Sequence, residues 1–352
     1  VRRHNHRDRS LAQFPPGSLE PDAVRLKDGD ALPRVSVKEL TAAQFAERFS
    51  GRQLPAMILG AAEGWPAVER WSSQETMLEH YGAIPFKVSE MYPPHAAARP
   101  LKVELPLSLY VENAASVGAD FPFYVFERDL EGPRAPLLND FEVPSYFRDD
   151  LYNVTEYTRA FFPLYRYIIV GVERTGSNLH VDPSCTSAWN TLLCGLKRWA
   201  LFPPGDSDEY RQRIGAVPRS GEGGGAPPAY WWLDVLPRLR ESGEDKELGL
   251  IECVQRPGET IFVPSGWWHC VLNVGFTAAV TQNLVPPETL PFVWDGLEKG
   301  WPDFARVFGE LLEELRPDVP LPAGAQRSAK PQQAERPCSY VASEPISIPC
   351  AS

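Results

Sequence analysis

From about Tyr165 the chain is cut into short apolar runs that recur every eight to twelve residues and are separated by Gly, Pro, Asn and Asp. That spacing predicts a double-sheet β fold. Strands are expected over residues 167–172, 178–181, 187–193, 198–202, 250–255, 260–263, 269–273 and 277–282. Eight strands suit a jelly roll.

Ahead of this block the pattern is mixed. Thr41-Ala42-Ala43-Gln44 has the form of a capping box, opening a short helix with Leu40, Phe45 and Phe49 on or near its apolar side and ending near Gly51. A strand follows over 55–59, then helices over 73–81, closed by Gly82, and over 107–115. Residues 36–163 therefore read as an α+β cap and residues 164–287 as the β domain. Helical spacing returns after Glu288, with Val307, Leu311, Leu312 and Leu315 in phase, so 288–317 reads as appended helices. Residues 1–35, with Arg2, Arg3, Arg7 and Arg9, read as a polar arm, and the Pro/Ala/Ser-rich 318–352 as a loose tail. The run Gly221-Glu222-Gly223-Gly224-Gly225 reads as a loop rather than a phosphate cradle, because no Lys-Ser or Lys-Thr follows it.

Composition narrows the classes. The 352 residues suffice for a large core, and 36 prolines and 26 glycines agree with a turn-rich β fold. A formal net charge of -11 disfavours a general nucleic-acid binder and favours basic partners. The six cysteines, Cys185, Cys194, Cys253, Cys270, Cys338 and Cys350, form no C-x-x-C pair and no regular framework, so free thiols in a reducing compartment are expected. No run approaches the roughly 18 apolar residues of a membrane span, and Val1-Arg2-Arg3-His4 lacks the apolar stretch of a signal peptide, so the expectation is an intracellular protein. Asn153-Val154-Thr155 is a glycosylation sequon that such a protein carries by chance.

The candidate chemistry lies in His180-Val181-Asp182 and, far downstream, in His269, which ends Gly258-Glu259-Thr260-Ile261-Phe262-Val263-Pro264-Ser265-Gly266-Trp267-Trp268-His269. In a strand, side chains at i and i+2 point to the same side, so His180 and Asp182 can reach one metal while Val181 faces away. Two imidazoles and a carboxylate on one face of an iron leave three positions open, as a metal needs when it must take a co-substrate, dioxygen and a substrate. An isolated H-x-D pair is common without a metal. Here, however, two of only six histidines sit beside apolar runs, Tyr167-Ile168-Ile169-Val170 and Cys270-Val271-Leu272, and a buried histidine needs a partner.

The stretch from His180-Val181-Asp182-Pro183 through Ser187-Ala188-Trp189-Asn190 to Gly195-Leu196-Lys197-Arg198-Trp199, with the segment ending at His269 and Thr281-Gln282-Asn283, resembles the Jumonji C family of Fe(II)- and 2-oxoglutarate-dependent oxygenases. The likeness runs from about Leu40 to about Trp294 and includes Ala62-Glu63-Gly64-Trp65 and Val143-Pro144-Ser145-Tyr146-Phe147. It implies a mainly β fold: a double-stranded β-helix core, jelly-roll and cupin-like, with an N-terminal α+β cap and C-terminal helices. It also implies Fe(II) on His180, Asp182 and His269, with dioxygen as co-reactant and ascorbate in support. Lys197 falls where the family holds the distal carboxylate of 2-oxoglutarate; Thr281 and Tyr124 match hydroxyls on that carboxylate, and Asn190 a polar group near the chelating end. A lysine inside a β barrel needs an anion, and none of its sequence neighbours is acidic. The alternative has Lys197 exposed and Arg198 inward.

Two departures lie near the substrate mouth. Ser177 stands where the family has threonine, keeping a hydroxyl, and Tyr167 where it has tryptophan. Trp268 and Asn283 are expected to meet substrate with Tyr167, and Trp189, Trp267 and Trp268 to wall the site. The resemblance implies a hydroxylase of protein side chains, foremost lysine in basic, Arg/Ser-rich or histone-like proteins, with N-methyl-arginine demethylation as the alternative. A metal-binding jelly-roll module without catalysis is the reading from another class, and a complete co-substrate set argues against it. RNA as a partner is weakened by the acidic charge; a homo-oligomer is compatible with the family. A nuclear address follows from resemblance alone and leaves the cytoplasm open, because the serine-rich tail and strongly basic segments of the family member this chain most resembles do not appear in this sequence.

Overall fold

The computed structural model describes residues 31–89, 102–117, 123–154, 166–216, 228–323 and 325. The basic start of the expected arm, the glycine run 221–225, Cys338 and Cys350 lie outside the described residues. The end of the expected arm is not loose: Leu32 is buried, and β1 (Arg34–Ser36) pairs in parallel with β2 (Ala56–Leu59). Between them Thr41 caps the expected helix α1 (Ala42–Phe45) with a full capping box, and a wider turn, Ala46–Ser50, carries the chain to Gly51. The cap continues through α2 (Gln74–Tyr81), β3 (Pro85–Ser89), β4 (Lys102–Pro106), α3 (Leu107–Val117) and β5 (Tyr124–Glu127). Gly82 ends α2 as the sequence predicts, whereas Ser73, expected as the first helical residue, is the cap that precedes it.

The β domain contains β6 (Arg166–Gly171), β7 (Gly176–His180), β8 (Ser187–Phe202), β9 (Ile251–Gln255), β10 (Thr260–Val263) and β11 (Trp268–Leu284). A helical excursion between β8 and β9 includes α4 (Leu236–Ser242). The eight expected strands are six, because two pairs merge: 187–193 with 198–202, and 269–273 with 277–282. The breaks fall on Gly195 and Gly275, which read as turns in the sequence but sit inside continuous strands with φ of 78° and 73°. There the β8–β11 ladder slips register, as a bulge does, and each strand bends without ending.

That bend makes the fold. The first half of β8 pairs with β10 and its second half with β9; the first half of β11 pairs with β7 and its second half with β6. Two long strands thus pass from one sheet into the other and close the jelly roll. The cap extends the larger sheet on both edges, in the order β1-β2-β10-β8-β11-β6-β5-β3-β4. It is bonded by aromatic packing: Phe147 stacks parallel to Trp189 at 6.3 Å, and Trp65 meets Trp189 edge-on at 6.4 Å. Buried Asp140 accepts bonds from Arg70, Trp71 and Tyr81, fixing α2 to this layer.

At the C-terminus α5 (Leu290–Gly300) and α6 (Pro302–Leu315) pack through Trp294 and Phe308. The expected apolar face of α6 is rotated. Phe304, Phe308 and Leu312 are buried, Val307 and Leu311 are half-buried, and Leu315 is exposed, because the two phenylalanines stack on each other and meet Tyr152, Phe304 edge-on and Phe308 tilted.

The two glycine roles can be separated. A side chain at Gly195 would overlap the Phe276 carbonyl oxygen, whereas at Gly258 (φ 84°) it would meet open space. Gly195→Ala is expected to cost about 3 kcal/mol or more and Gly258→Ala about 1 kcal/mol, measured by urea denaturation. Equal costs would show that the bend does not depend on close contact.

Candidate active site

β7 and β11 set His180 directly opposite His269 in an antiparallel pair, and the two rings lie 4.2 Å apart. His180 is the last residue of β7, so Asp182 is not strand-borne as the sequence suggests. Its backbone stays extended (φ -60°, ψ 150°), which preserves the i, i+2 relation, and a tight turn, Pro183–Cys185, follows. Asp182 Oδ1 is 3.8 Å from His180 Nε2, and Oδ2 is 3.9 Å from His269 Nε2. One ligand atom from each of the three lies within 4.8 Å of the others, and this is the cluster of metal-binding type found among the described residues.

The tautomers are set by the backbone. His180 Nδ1 lies 2.6 Å from the Asn178 carbonyl oxygen and His269 Nδ1 3.1 Å from that of Trp267. A carbonyl only accepts, so each Nδ1 carries the proton and each Nε2 lone pair faces the shared centre. Burial, reinforced by His180, pushes the pKa of His269 down to about 4, which keeps the imidazole neutral, the form a metal requires. Asp182 Oδ2 is buried with no hydrogen-bond partner among the described residues. A buried, unbonded carboxylate oxygen facing two imidazole lone pairs fits a divalent cation.

A cavity of about 240 Å³ opens on this centre, and Tyr124, Tyr167, Ser177, Asn190, Lys197, Thr281 and Asn283 line it beside the triad. All of these were expected from the sequence. Lys197 points inward and is wholly buried; its Nζ donates to Asn273 Oδ1 at 2.6 Å. Arg198, on the opposite face of β8, is buried too, paired with Glu252 at 2.7 Å and lying over the Trp232 ring. Both residues are thus covered, but only the lysine enters the cavity. Burial pushes its pKa down to about 7. Asn190 Oδ1 has no hydrogen-bond partner among the described residues. Thr281 donates its proton to the Trp189 carbonyl at 2.8 Å, so its hydroxyl must turn before it can donate into the cavity.

Trp268 does not line the cavity. Alternation along β11 turns it away from His269, and its indole donates to the Gly205 carbonyl at 2.8 Å. Trp267 does not line the cavity either; it is buried in a neighbouring apolar cluster with its indole bonded to the Gln53 carbonyl, and Trp189 alone of the three expected tryptophans walls the site. Asn273 is the residue that sequence reading missed. It is buried, holds Lys197 through its oxygen and Thr175 through its nitrogen, and its amide also meets the Tyr124 hydroxyl. The available signal was one amide inside the apolar run Cys270-Val271-Leu272-Asn273-Val274.

Residues 167–284, which hold the site apart from Tyr124 and Phe126, match the family described as JmjC domain, hydroxylase. A bifunctional arginine demethylase and lysyl-hydroxylase, psr-1 of Caenorhabditis briggsae, is 34% identical over 294 residues, covering 82% of this chain and 70% of that protein. The chain belongs to the JmjC family. This JmjC chain is also 40% identical over 265 residues to the lysine-specific demethylase JMJ21 of Arabidopsis thaliana, covering 73% of the chain and 26% of JMJ21. The 2-oxoglutarate and iron-dependent oxygenase JMJD4 of Homo sapiens is 28% identical over 270 residues, covering 73% of the chain and 62% of that protein. The chain thus spans about a quarter of JMJ21 but most of psr-1. Fe(II) and 2-oxoglutarate are the family's cofactor and co-substrate, and the donor set and buried ammonium described above fit both.

Only the protonated form of Lys197 attracts a carboxylate. With its pKa near 7 in the free protein, 2-oxoglutarate affinity should be fullest below that pH and fall about tenfold per unit above it, with a proton taken up on binding at pH 8. Calorimetry in buffers of different ionisation enthalpy reads this directly. Absence of any buffer dependence, or its persistence in Lys197→Met, would remove Lys197 from the co-substrate pocket.

Proposed function

We propose that this chain is an Fe(II)- and 2-oxoglutarate-dependent oxygenase that hydroxylates protein side chains, foremost lysine in basic proteins. The observation that carries this reading is one cavity holding two complementary demands: a triad with a bare carboxylate oxygen, and a buried ammonium with one neutral partner. His180, Asp182 and His269 hold the iron, and Lys197, with Tyr124 and Thr281, holds the distal carboxylate of 2-oxoglutarate. Iron with 2-oxoglutarate and dioxygen supplies an oxidant able to take hydrogen from an unactivated C–H bond. Everything else is placement. Asn190 offers a bare amide oxygen inside the cavity, Ser177 lies on its wall, and Trp189 keeps water from one side. Asn283, anchored to Thr186 at 3.0 Å, and Tyr167 mark the side where substrate enters.

A second reading, demethylation of N-methyl-arginine, rests on the same hydroxylation placed on the N-methyl carbon, after which the N–CH2OH group breaks its C–N bond to give formaldehyde and the N–H. The ring pair Phe126 and Tyr167, 4.5 Å apart on the cavity wall, favours it, because aromatic faces suit a methylated cation. The relative psr-1, a bifunctional arginine demethylase and lysyl-hydroxylase, spans both outcomes. A net charge of -11 supports a cationic peptide partner over RNA. A reducing intracellular setting, nuclear or cytoplasmic, agrees with Cys185, Cys194, Cys253 and Cys270, none of which forms a disulfide among the described residues.

Purified protein incubated with iron, ascorbate, labelled 2-oxoglutarate and a library of lysine- and methylarginine-containing basic peptides should form succinate and add one oxygen to lysine. Asp182→Ala should abolish both while the far-UV spectrum stays unchanged, since it removes a charged ligand rather than core volume. Release of formaldehyde without oxygen addition would select the demethylase reading; undiminished turnover in Asp182→Ala would defeat the triad assignment.

A further inference from the structure

The turn that carries Asp182 is held in a shape its own residues disfavour. Ser184 and Cys185 follow one another in the left-handed region, with φ of 53° and 55°. Neither is glycine, and a β-carbon makes that conformation unfavourable at each of them. Two hydrogen bonds close the turn, from Cys185 N to the Asp182 carbonyl and from Thr186 N to the Pro183 carbonyl, at 3.0 and 3.1 Å. On one side Asn283 grips Thr186 through a 3.0 Å side-chain bond. On the other side lies α5.

Gly296 is where α5 meets the turn. A β-carbon there would stand 3.0 Å from the Ser184 carbonyl oxygen, 3.1 Å from its carbonyl carbon and 3.4 Å from its Cα, all backbone atoms that cannot swing aside. Gly296 lies inside a helix, where glycine is a poor choice, and its backbone does not require glycine. The close approach accounts for it. At Gly300, in the same helix, an added β-carbon would meet nothing within 4 Å, so the constraint is local to Gly296.

We infer that α5 is a positioning element for the metal centre, acting through contact of Gly296 with the Ser184 backbone to hold the Pro183–Cys185 turn and thereby the Asp182 carboxylate. Asp182 is the one ligand outside the paired strands, so its place depends on this turn rather than on a ladder of backbone bonds. Its oxygens meet both histidines only while the turn keeps its shape. Because α5 is packed on α6 through Trp294 and Phe308, the C-terminal helices are mechanically joined to the iron site. The inference rests on the assignment of His180, Asp182 and His269 as the metal ligands.

The test uses the metal-free full chain, Co(II) as the probe metal, and three variants. Gly296→Ala presses on Ser184 yet improves helix propensity, so it should fold while Co(II) affinity falls about tenfold or more, the range seen when groups that orient metal ligands are altered. The Co(II) ligand-field bands should change with it. Gly300→Ala makes the same chemical change in open space and should match the parent. Ser184→Gly added to Gly296→Ala keeps the crowded backbone carbonyl and should recover little of the affinity; full recovery would place the effect in the side chain at 184 rather than in the backbone contact and overturn the proposal. In parallel, amide hydrogen exchange at Cys185 and Thr186 should quicken in Gly296→Ala alone. Parent-like Co(II) affinity, spectrum and exchange in Gly296→Ala would overturn the proposal, as would equal losses in Gly296→Ala and Gly300→Ala. If the parent itself binds no Co(II), the triad assignment fails, and the exchange rates still decide whether α5 holds the turn.

Discussion

An ammonium taken wholly out of water and given one amide oxygen is the constraint on which the rest of this site turns. Lys197 is fully buried, its pKa is pushed down to about 7, and Asn273 supplies the sole hydrogen bond its nitrogen makes among the described residues. Between about pH 7 and the ordinary lysine value the unfolded chain binds more protons here than the folded one, so this group's contribution to stability grows as pH rises through that window. Such an arrangement is costly in the free protein and becomes favourable once a carboxylate enters. Asp182 shows the complementary cost, a buried oxygen without a donor. The cavity between them is lined by both groups, the buried ammonium and the bare carboxylate oxygen.

The scaffold that tolerates these costs is made by two strands that belong to both sheets. Because β8 bends at Gly195 and β11 at Gly275, each contributes to opposite walls: Asn190 and Lys197 come from one strand, Thr281 and His269 from the other. The Lys197–Asn273 bond is itself a cross-strand pair of this ladder. Aromatic packing of the cap against Trp189 closes the back of the site, which explains why segments around Trp65 and Phe147 resemble the family although they carry no chemistry.

Much of this was legible because the residues involved obey short-range rules. The capping box at Thr41 forms as written, and Thr260–Val263 is a strand with the expected bounds. The i, i+2 spacing of His180 and Asp182 survives even though β7 ends between them. What was not legible depended on long-range contact. Gly195 and Gly275 look the same in sequence whether they end a strand or bend it, and only the facing strand decides. Trp268 and His269 are neighbours with equal claims on the site; the face that β11 turns inward assigns one of them. Asn273 could be noticed as a lone amide among apolar residues, but its partner lies 76 positions away. The rotated face of α6 likewise follows from Tyr152 and Trp294, outside that helix.

The central claim is that metal and 2-oxoglutarate occupy one cavity and relieve its two buried charges together. Thermal denaturation of the metal-free chain with Mn(II), with 2-oxoglutarate, with both, and with Mn(II) plus glutarate measures this most directly. A ligand at a hundred times its dissociation constant stabilises by about 2.7 kcal/mol. The account predicts that Mn(II) and 2-oxoglutarate together raise the midpoint by more than the sum of their separate shifts, and that glutarate, which lacks the chelating keto group, does not reproduce the excess. Additive shifts, or an equal effect of glutarate, would contradict a shared site.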